Sequence, residues 1–156
     1  MTAPRRPIEE RFWAKVDKSG ECWLWTAGRN TPGYGVISEG GHSGKQLSTH
    51  RVAYELEVGP IPNGLTIDHL CHNADLTCPG GNTCPHRACV RPDHLEAVLN
   101  RINILRGRAP VALQAQKIAC PQGHAYDESN TYAWRGHRRC RQCNAEVARR
   151  LRRVSA

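Results

Sequence analysis

The stretch 65–107, LTIDHLCHNADLTCPGGNTCPHRACVRPDHLEAVLNRINILRG, constrains the fold more than any other part of the chain. It sets Cys71, Cys78, Cys84 and Cys89, together with His72 and His86, between two short apolar runs. The segment they occupy is rich in Gly and Pro and too poor in apolar side chains to order itself by packing, so it needs a staple. The flanking runs read as a short strand ending in Asp68-His69 and a second short strand after Pro92-Asp93-His94, followed by a helix carrying Asn103.

The staple is expected to be zinc. Eight cysteines would allow disulfides, but the N-terminus, MTAPRRPIEERFW, is charged throughout and does not resemble a signal peptide, and no run is long enough to span a membrane. The expected compartment is therefore a reducing cytoplasm, bacterial or that of a phage-infected host, where Cys beside His reads as metal binding. A structural Zn²⁺ takes four ligands. For the first ion the expected set is Cys71, Cys78, Cys84 and Cys89, with His86 as an alternative in place of Cys71. For the second the set is Cys120, His124, Cys140 and Cys143, two short-spaced pairs with His137 as the competing ligand. Cys22, alone in its neighbourhood, reads as a small buried hydrophobe.

The rest of the chain reads as α+β. Pro7 stands at a helix start with Ile8, Phe12 and Val16 at helical spacing. Cys22–Trp25 and Gly33–Ile37 read as two strands around a turn, Gly40 to Gly44 as a loop, and His50 to Glu57 as a helix with Val52, Ala53 and Leu56 on its apolar side. Trp23, Trp25, Tyr34 and His50 are expected first in the core and second as stacking or hydrogen-bonding contacts for a nucleic acid. In the helix after the second strand, Ile102 and Leu105 are expected to join Val98 on a buried stripe, leaving Asn103 and Arg106 at the rim. The expected organisation is one unit over 1–108, with the strand–strand–helix motif at about 65–107, a linker or helical extension at 109–117, and a zinc module at 118–156 that closes on a helix from Asn144 to Val154.

Charge points to a polyanionic partner. The formal net charge is +8 and the pI near 9.3. The arginines gather at Arg101, Arg106 and Arg108, at Arg135, Arg138, Arg139 and Arg141, and at Arg149, Arg150, Arg152 and Arg153.

Asp68 offers a hard oxygen ligand and His69 a base whose intrinsic pKa suits neutral pH. Adjacent residues on a regular strand point to opposite faces, so joint action of these two requires a distorted strand end. The words IDHLC, RACVRPDHLEAV and NRINILRG, preceded by THRVAYELEVGPIPNGL and CWLWTAGRNTPGYG, resemble in that order the HNH nucleases of the ββα-metal class, nearest to the phage and intron-borne HNH homing endonucleases. The resemblance runs from about Phe12 to Gly107. It implies a small zinc-stabilised ββα-metal domain that hydrolyses DNA phosphodiester bonds, with His69 as general base, His94 at the middle catalytic position, and Asp68 and Asn103 as ligands of a catalytic metal. The family's literal letters are H, N and H, whereas this chain has His in the middle and Asn at the end. A carboxylate and an amide form an oxygen-donor set that favours Mg²⁺ or Mn²⁺. The resemblance of the second cysteine group is to the zinc modules appended to phage HNH proteins, which makes its arginines DNA contacts. Two rivals are a non-catalytic zinc-dependent DNA-binding protein and a zinc-stapled protein-interaction module. As a nuclease, a monomer would nick one strand, and a symmetric homodimer could cut both.

Overall fold

Glu9 and Glu10 favour the start of the first helix, α1 (Ile8–Trp13), and the helix buries Phe12 completely. Phe12 stacks on Trp25 with ring centroids 5.3 Å apart, and Ile37, Val52, Ala53, Ile67, Val90 and Leu95 close the core around the pair. Phe12→Ala is expected to cost about 3–5 kcal/mol of stability. Denaturant unfolding followed by tryptophan fluorescence would measure this.

The structure, a computed structural model, describes residues 6–40 and 44–154. The charged start of the chain at 1–5 and the centre of the expected Gly40–Gly44 loop lie outside those residues. The chain divides into two compact units, Met1–Arg108 and Ala109–Ala156.

In the first unit, β1 (Val16–Asp17) pairs antiparallel with β2 (Leu24–Trp25), and β3 (Val36–Ser38) pairs with β4 (Gln46–Ser48). Val16 therefore leaves the helix on which its spacing placed it, and the two strands expected around the 28–32 turn pair with other partners. A single bridge, Arg29↔Gly35, remains of that hairpin. Next comes α2 (Thr49–Glu57), which buries Val52 and Ala53 but leaves Leu56 at the surface. Gly35 passes so close to α2 and the core that a Cβ there would collide with Thr49 Oγ1 and stand 2.7 Å from the Trp25 ring.

The central hairpin joins β5 (Leu65–His69) to β6 (Leu95–Leu99) in unbroken antiparallel register, Leu65↔Leu99 through His69↔Leu95. Between the strands lie α3 (Leu70–Ala74), an irregular loop, and two short 3-10 turns at Pro85–Ala88 and Pro92–His94. The helix α4 (Asn100–Arg106) follows β6. Ile102 is 37% exposed, so the expected buried stripe is not formed. At two turns, α4 is too short to bury a full stripe, and Asn103 and Leu105 are its half-buried residues.

In the second unit, α5 (Pro110–Gln116) occupies the segment read as a linker or helical extension, with Pro110 at its first position. β7 (Thr131–Trp134) and β8 (His137–Cys140) form a hairpin through Arg135-Gly136, both with positive φ (49° and 77°), as a two-residue turn of this hand requires. The final helix, α6 (Arg141–Val154), starts three residues before the expected Asn144 and is largely exposed.

Candidate active site and metal centres

Asp68 and His69 are both buried, at 4% and 7% exposure, and both line one cavity of about 110 Å³ together with Asn103 and Tyr34. No bulge is needed to bring them together: pairing stays regular to His69↔Leu95, and the chain leaves the strand directly after His69 into α3. The cavity sits where the strand ends, so both neighbours reach it.

The His69 ring is oriented by a backbone carbonyl. Its Nε2 stands 3.2 Å from the Cys89 oxygen, which can only accept, so Nε2 carries the proton and Nδ1 keeps its lone pair. Burial pushes the His69 pKa down to about 4, against the opposing effects of the Cys89 hydrogen bond and Asp68, so the ring is neutral at pH 7. His50 packs beside it with ring centroids 5.0 Å apart, and Tyr34 stands 5.3 Å from His50 and 6.0 Å from His69. His50 is likewise held neutral, at about 3, first by burial and then by His69 and Arg51.

Asp68 Oδ2 accepts hydrogen bonds from Asn73 Nδ2 at 2.8 Å and Arg106 Nη1 at 3.3 Å. Arg106 also pairs with Glu96, the cross-strand partner of Asp68. Expected to await a phosphate, Arg106 instead bridges two carboxylates, which hold its pKa above the usual arginine range. A carboxylate and an amide lining one cavity suit a hard divalent cation. Asp68 Oδ1 takes no part in the contacts with Asn73 and Arg106 and remains a candidate ligand atom.

Three groups of four metal-type side chains occur among the described residues: Cys22/Cys71/Cys89/His94, His72/Cys78/Cys84/His86 and Cys120/His124/Cys140/Cys143. Within each, the ligand atoms lie within 4.8 Å of one another, and all eight cysteines are free thiols. The first zinc set expected from the sequence is thereby split: Cys71 and Cys89 belong to one group, Cys78 and Cys84 to another. The physical reason is long-range. An isolated bridge between Leu24 and Cys89, with the Val90 N–H donating to the Trp23 carbonyl at 2.8 Å, brings Cys22 against Cys89. The Pro92–His94 turn then delivers His94, whose Nδ1 is 3.6 Å from both Cys22 and Cys89 sulfurs. His94, expected at the middle catalytic position, is therefore held among thiols, and Cys22 is a ligand candidate whose isolation along the chain makes it read as a hydrophobe. Within this cluster burial chiefly raises the Cys22 thiol to about 11, while the Cys71 thiol's hydrogen bond lowers Cys89 to about 5. Thiolate character on one sulfur of a crowded set is what a soft cation exploits.

The donor sets fit tetrahedral zinc. Bond lengths of about 2.3 Å to sulfur and 2.0–2.1 Å to nitrogen give tetrahedral edges of about 3.3–3.8 Å. In the second unit, Cys120 and Cys143 sulfurs are 3.5 Å apart, and His124 Nδ1 lies 3.3 Å from Cys143 and 3.6 Å from Cys140. Buried Asn130 braces this group: its amide donates to the Ala125 carbonyl at 2.6 Å and approaches Cys140 Sγ at 3.4 Å, and its Oδ1 accepts from the Gln142 N–H at 3.0 Å. His137 is exposed and outside the group.

The arginines expected at a polyanion divide by what they touch. Arg108 donates to the carbonyls of Leu76, Asp75 and Cys78 at 2.7–2.8 Å, so it clamps the cysteine loop. Arg138 lies over Tyr126 at 4.1 Å and donates to the Gln114 and Lys117 carbonyls. Arg135 and Arg139 flank the half-exposed Trp134 at 4.6 and 5.4 Å, and Arg141 lies over Tyr132. Arg101, Arg149 and Arg150 are exposed.

Two antiparallel strands, a following helix, and an Asp-His pair that lines one small cavity together with an Asn define a ββα nuclease-type hairpin in an α+β chain. A family model described as HNH endonuclease matches residues 48–75, which include α2 and the Asp68-His69 strand. Among curated proteins, the chain is 40% identical to "Protein 7.7" of Escherichia phage T7 over 53 residues, 34% of this chain and 38% of that protein. It is 32% identical to the "Uncharacterized gene 5.3 protein" of Enterobacteria phage T3 over 81 residues, 50% of this chain and 67% of that one. No solved structure matches. The chain belongs to the HNH endonuclease family, and that membership supports a nuclease function. Among the described residues no helix is long and apolar enough to cross a membrane.

Proposed function

We propose that this protein is a metal-dependent DNA endonuclease that hydrolyses phosphodiester bonds at the Asp68/His69/Asn103 cavity. The observation that carries this reading is His69: a buried, neutral imidazole with Nε2 fixed on the Cys89 carbonyl and Nδ1 left as a base at the cavity. Its role is to take a proton from the attacking water at Nδ1. Asp68 and Asn103 would hold Mg²⁺ or Mn²⁺, which supplies positive charge to the scissile phosphate and the departing 3′ oxygen. Asn73 and Arg106 fix the Asp68 carboxylate through Oδ2, and Tyr34 and His50 pack the ring wall that keeps His69 in place.

The Cys22/Cys71/Cys89/His94 group is best read as a closed structural zinc centre. It holds the residue whose carbonyl orients His69, so His94 acts on the base through Cys89 and positions it without touching substrate. The second unit, closed by zinc at Cys120, His124, Cys140 and Cys143, serves to grip the DNA backbone through Trp134 with Arg135 and Arg139 and through the exposed arginines of α6. In a cell this activity belongs in the cytoplasm, and the phage origin of the relatives supports a phage-infected host as its setting. A homing role fits the family, and so does action as a monomer or homodimer.

The backbone-gripping part has its own test. Replacing Arg149, Arg150, Arg152 and Arg153 together with Gln is expected to weaken binding to DNA of any sequence. It should also flatten the plot of log affinity against log salt by about one unit for each phosphate that is no longer neutralised. Fluorescence anisotropy across a salt series reads both, and an unchanged slope would remove α6 from the DNA surface. A salt-independent affinity in the parent protein would favour the protein-interaction reading.

A further inference from the structure

The loop from Asp75 to Ala88 forms much of the wall of the catalytic cavity, through Gly80, Gly81, Cys84, His86 and Arg87, yet it contains no strand and, besides turns at 76–77 and 82–83, only the 3-10 turn Pro85–Ala88. Its apolar side chains are few, and Leu76 is 82% exposed, so packing does not fix it. Inside it, Cys78 and Cys84 sulfurs stand 3.5 Å apart, and Cys84 Sγ is 3.5 Å from His72 Nδ1 and 3.6 Å from His86 Nδ1. Each distance is an edge of a zinc tetrahedron. Both imidazoles turn Nδ1 inward. The outward Nε2 of His86 faces Asp75 Oδ2 at 3.7 Å, the carboxylate–imidazole arrangement that orients a metal-bound histidine. The same pattern recurs at the second unit's group, where His124 Nε2 faces Glu146 at 4.0 Å.

We propose that His72, Cys78, Cys84 and His86 bind a Zn²⁺ of their own, distinct from the Cys22/Cys71/Cys89/His94 centre, and that this ion builds one wall of the catalytic cavity. The chain then carries three zinc ions. The position suits the ligand type. Two thiolates and two neutral imidazoles balance the charge of one Zn²⁺, whereas three thiolates leave a negative charge. A neutral centre is the one that can border a cavity meant for phosphate without repelling it. The ion fixes His86, and with it the next residue, Arg87, which donates to the Pro32 carbonyl and lies 4.9 Å over the Tyr34 ring. The loop is thereby tied to the 32–34 segment, whose Tyr34 also lines the cavity. The metal-binding claim stands without the nuclease reading, and the role at the cavity rests on it.

The test is a zinc count on the full chain, purified without chelator, by elemental analysis and native mass spectrometry. Three zinc ions per chain are expected, falling to two in Cys78→Ser/Cys84→Ser, with the far-UV spectrum of the folded protein retained. Equal counts in the parent and the double variant would overturn the proposal. If the double variant fails to fold, the single variant Cys78→Ser with Co²⁺ replacing Zn²⁺ decides. The three groups hold eight thiolates, so loss of about one eighth to one quarter of the thiolate–cobalt absorption supports the site, and an undiminished band overturns it. A protein that loses one zinc in the double variant yet cuts no DNA would contradict the nuclease reading alone. An active nuclease whose count does not change would contradict the third zinc alone.

Discussion

Stripping zinc from the whole protein is expected to unfold the first unit. A structural zinc centre contributes on the order of 10–16 kcal/mol to folding, as much as or more than the whole net stability of a typical domain, about 5–15 kcal/mol. Here the Cys22/Cys71/Cys89/His94 group ties together the β2 edge, α3 and both 3-10 turns, which are otherwise joined by one isolated bridge, a few loop hydrogen bonds and the packing of Ala88 and Val90 into the core. Cys89→Ser is therefore expected to abolish cooperative unfolding of that unit at 25 °C, even though the Cys89 carbonyl that meets His69 is unchanged by the substitution. Circular dichroism during chelator titration, with zinc re-addition as the control, measures the effect. A chelated protein that keeps its near-UV signal and melting transition would show that the thiols are not metal ligands.

His69→Ala is expected to lower the rate of DNA cleavage by about 10²–10⁴ while leaving DNA affinity within a few-fold of the parent, because a positioned general base acts only on the chemical step. The imidazole is buried against Cys89, so the substitution also leaves a small void. Zinc content and melting temperature must therefore be shown to match the parent's. His94→Ala is expected to behave differently: it removes a ligand, so it should lose zinc and stability together with activity. A His94→Ala protein that stays fully zinc-loaded and stable but is inactive would return His94 to the catalytic group.

The part of the site that is legible in the sequence is the part built locally. Asp68, His69 and Asn103 sit on a strand, its end and a helix that follow one another around a single hairpin, so order along the chain predicts one shared cavity. The expected strand distortion proves unnecessary because the strand simply ends there. The zinc grouping is not legible, because Cys71/Cys89 and Cys78/Cys84 are nested pairs and spacing does not say whether they share one ion or serve two. The signal is a count: four thiols with His72, His86 and His94 exceed one tetrahedron, and the surplus requires a ligand from elsewhere. Cys22 supplies it through a strand-edge contact that no periodicity announces. Arginine roles are also hidden, since a clamp on backbone carbonyls by Arg108 and a bridge between carboxylates by Arg106 look, in sequence, the same as a phosphate contact.

The most direct test of the central claim is cleavage of supercoiled plasmid by zinc-loaded protein that has been dialysed free of Mg²⁺, with Mg²⁺ then titrated in; adding EDTA instead would remove zinc as well. The expected result is nicked or linear DNA that appears only with Mg²⁺ or Mn²⁺, is lost in His69→Ala, and shows by its form whether one strand or two is cut. Intact plasmid at every Mg²⁺ concentration, together with an uncut pool of diverse DNA sequences, would contradict the nuclease reading and leave a zinc-dependent DNA-binding protein.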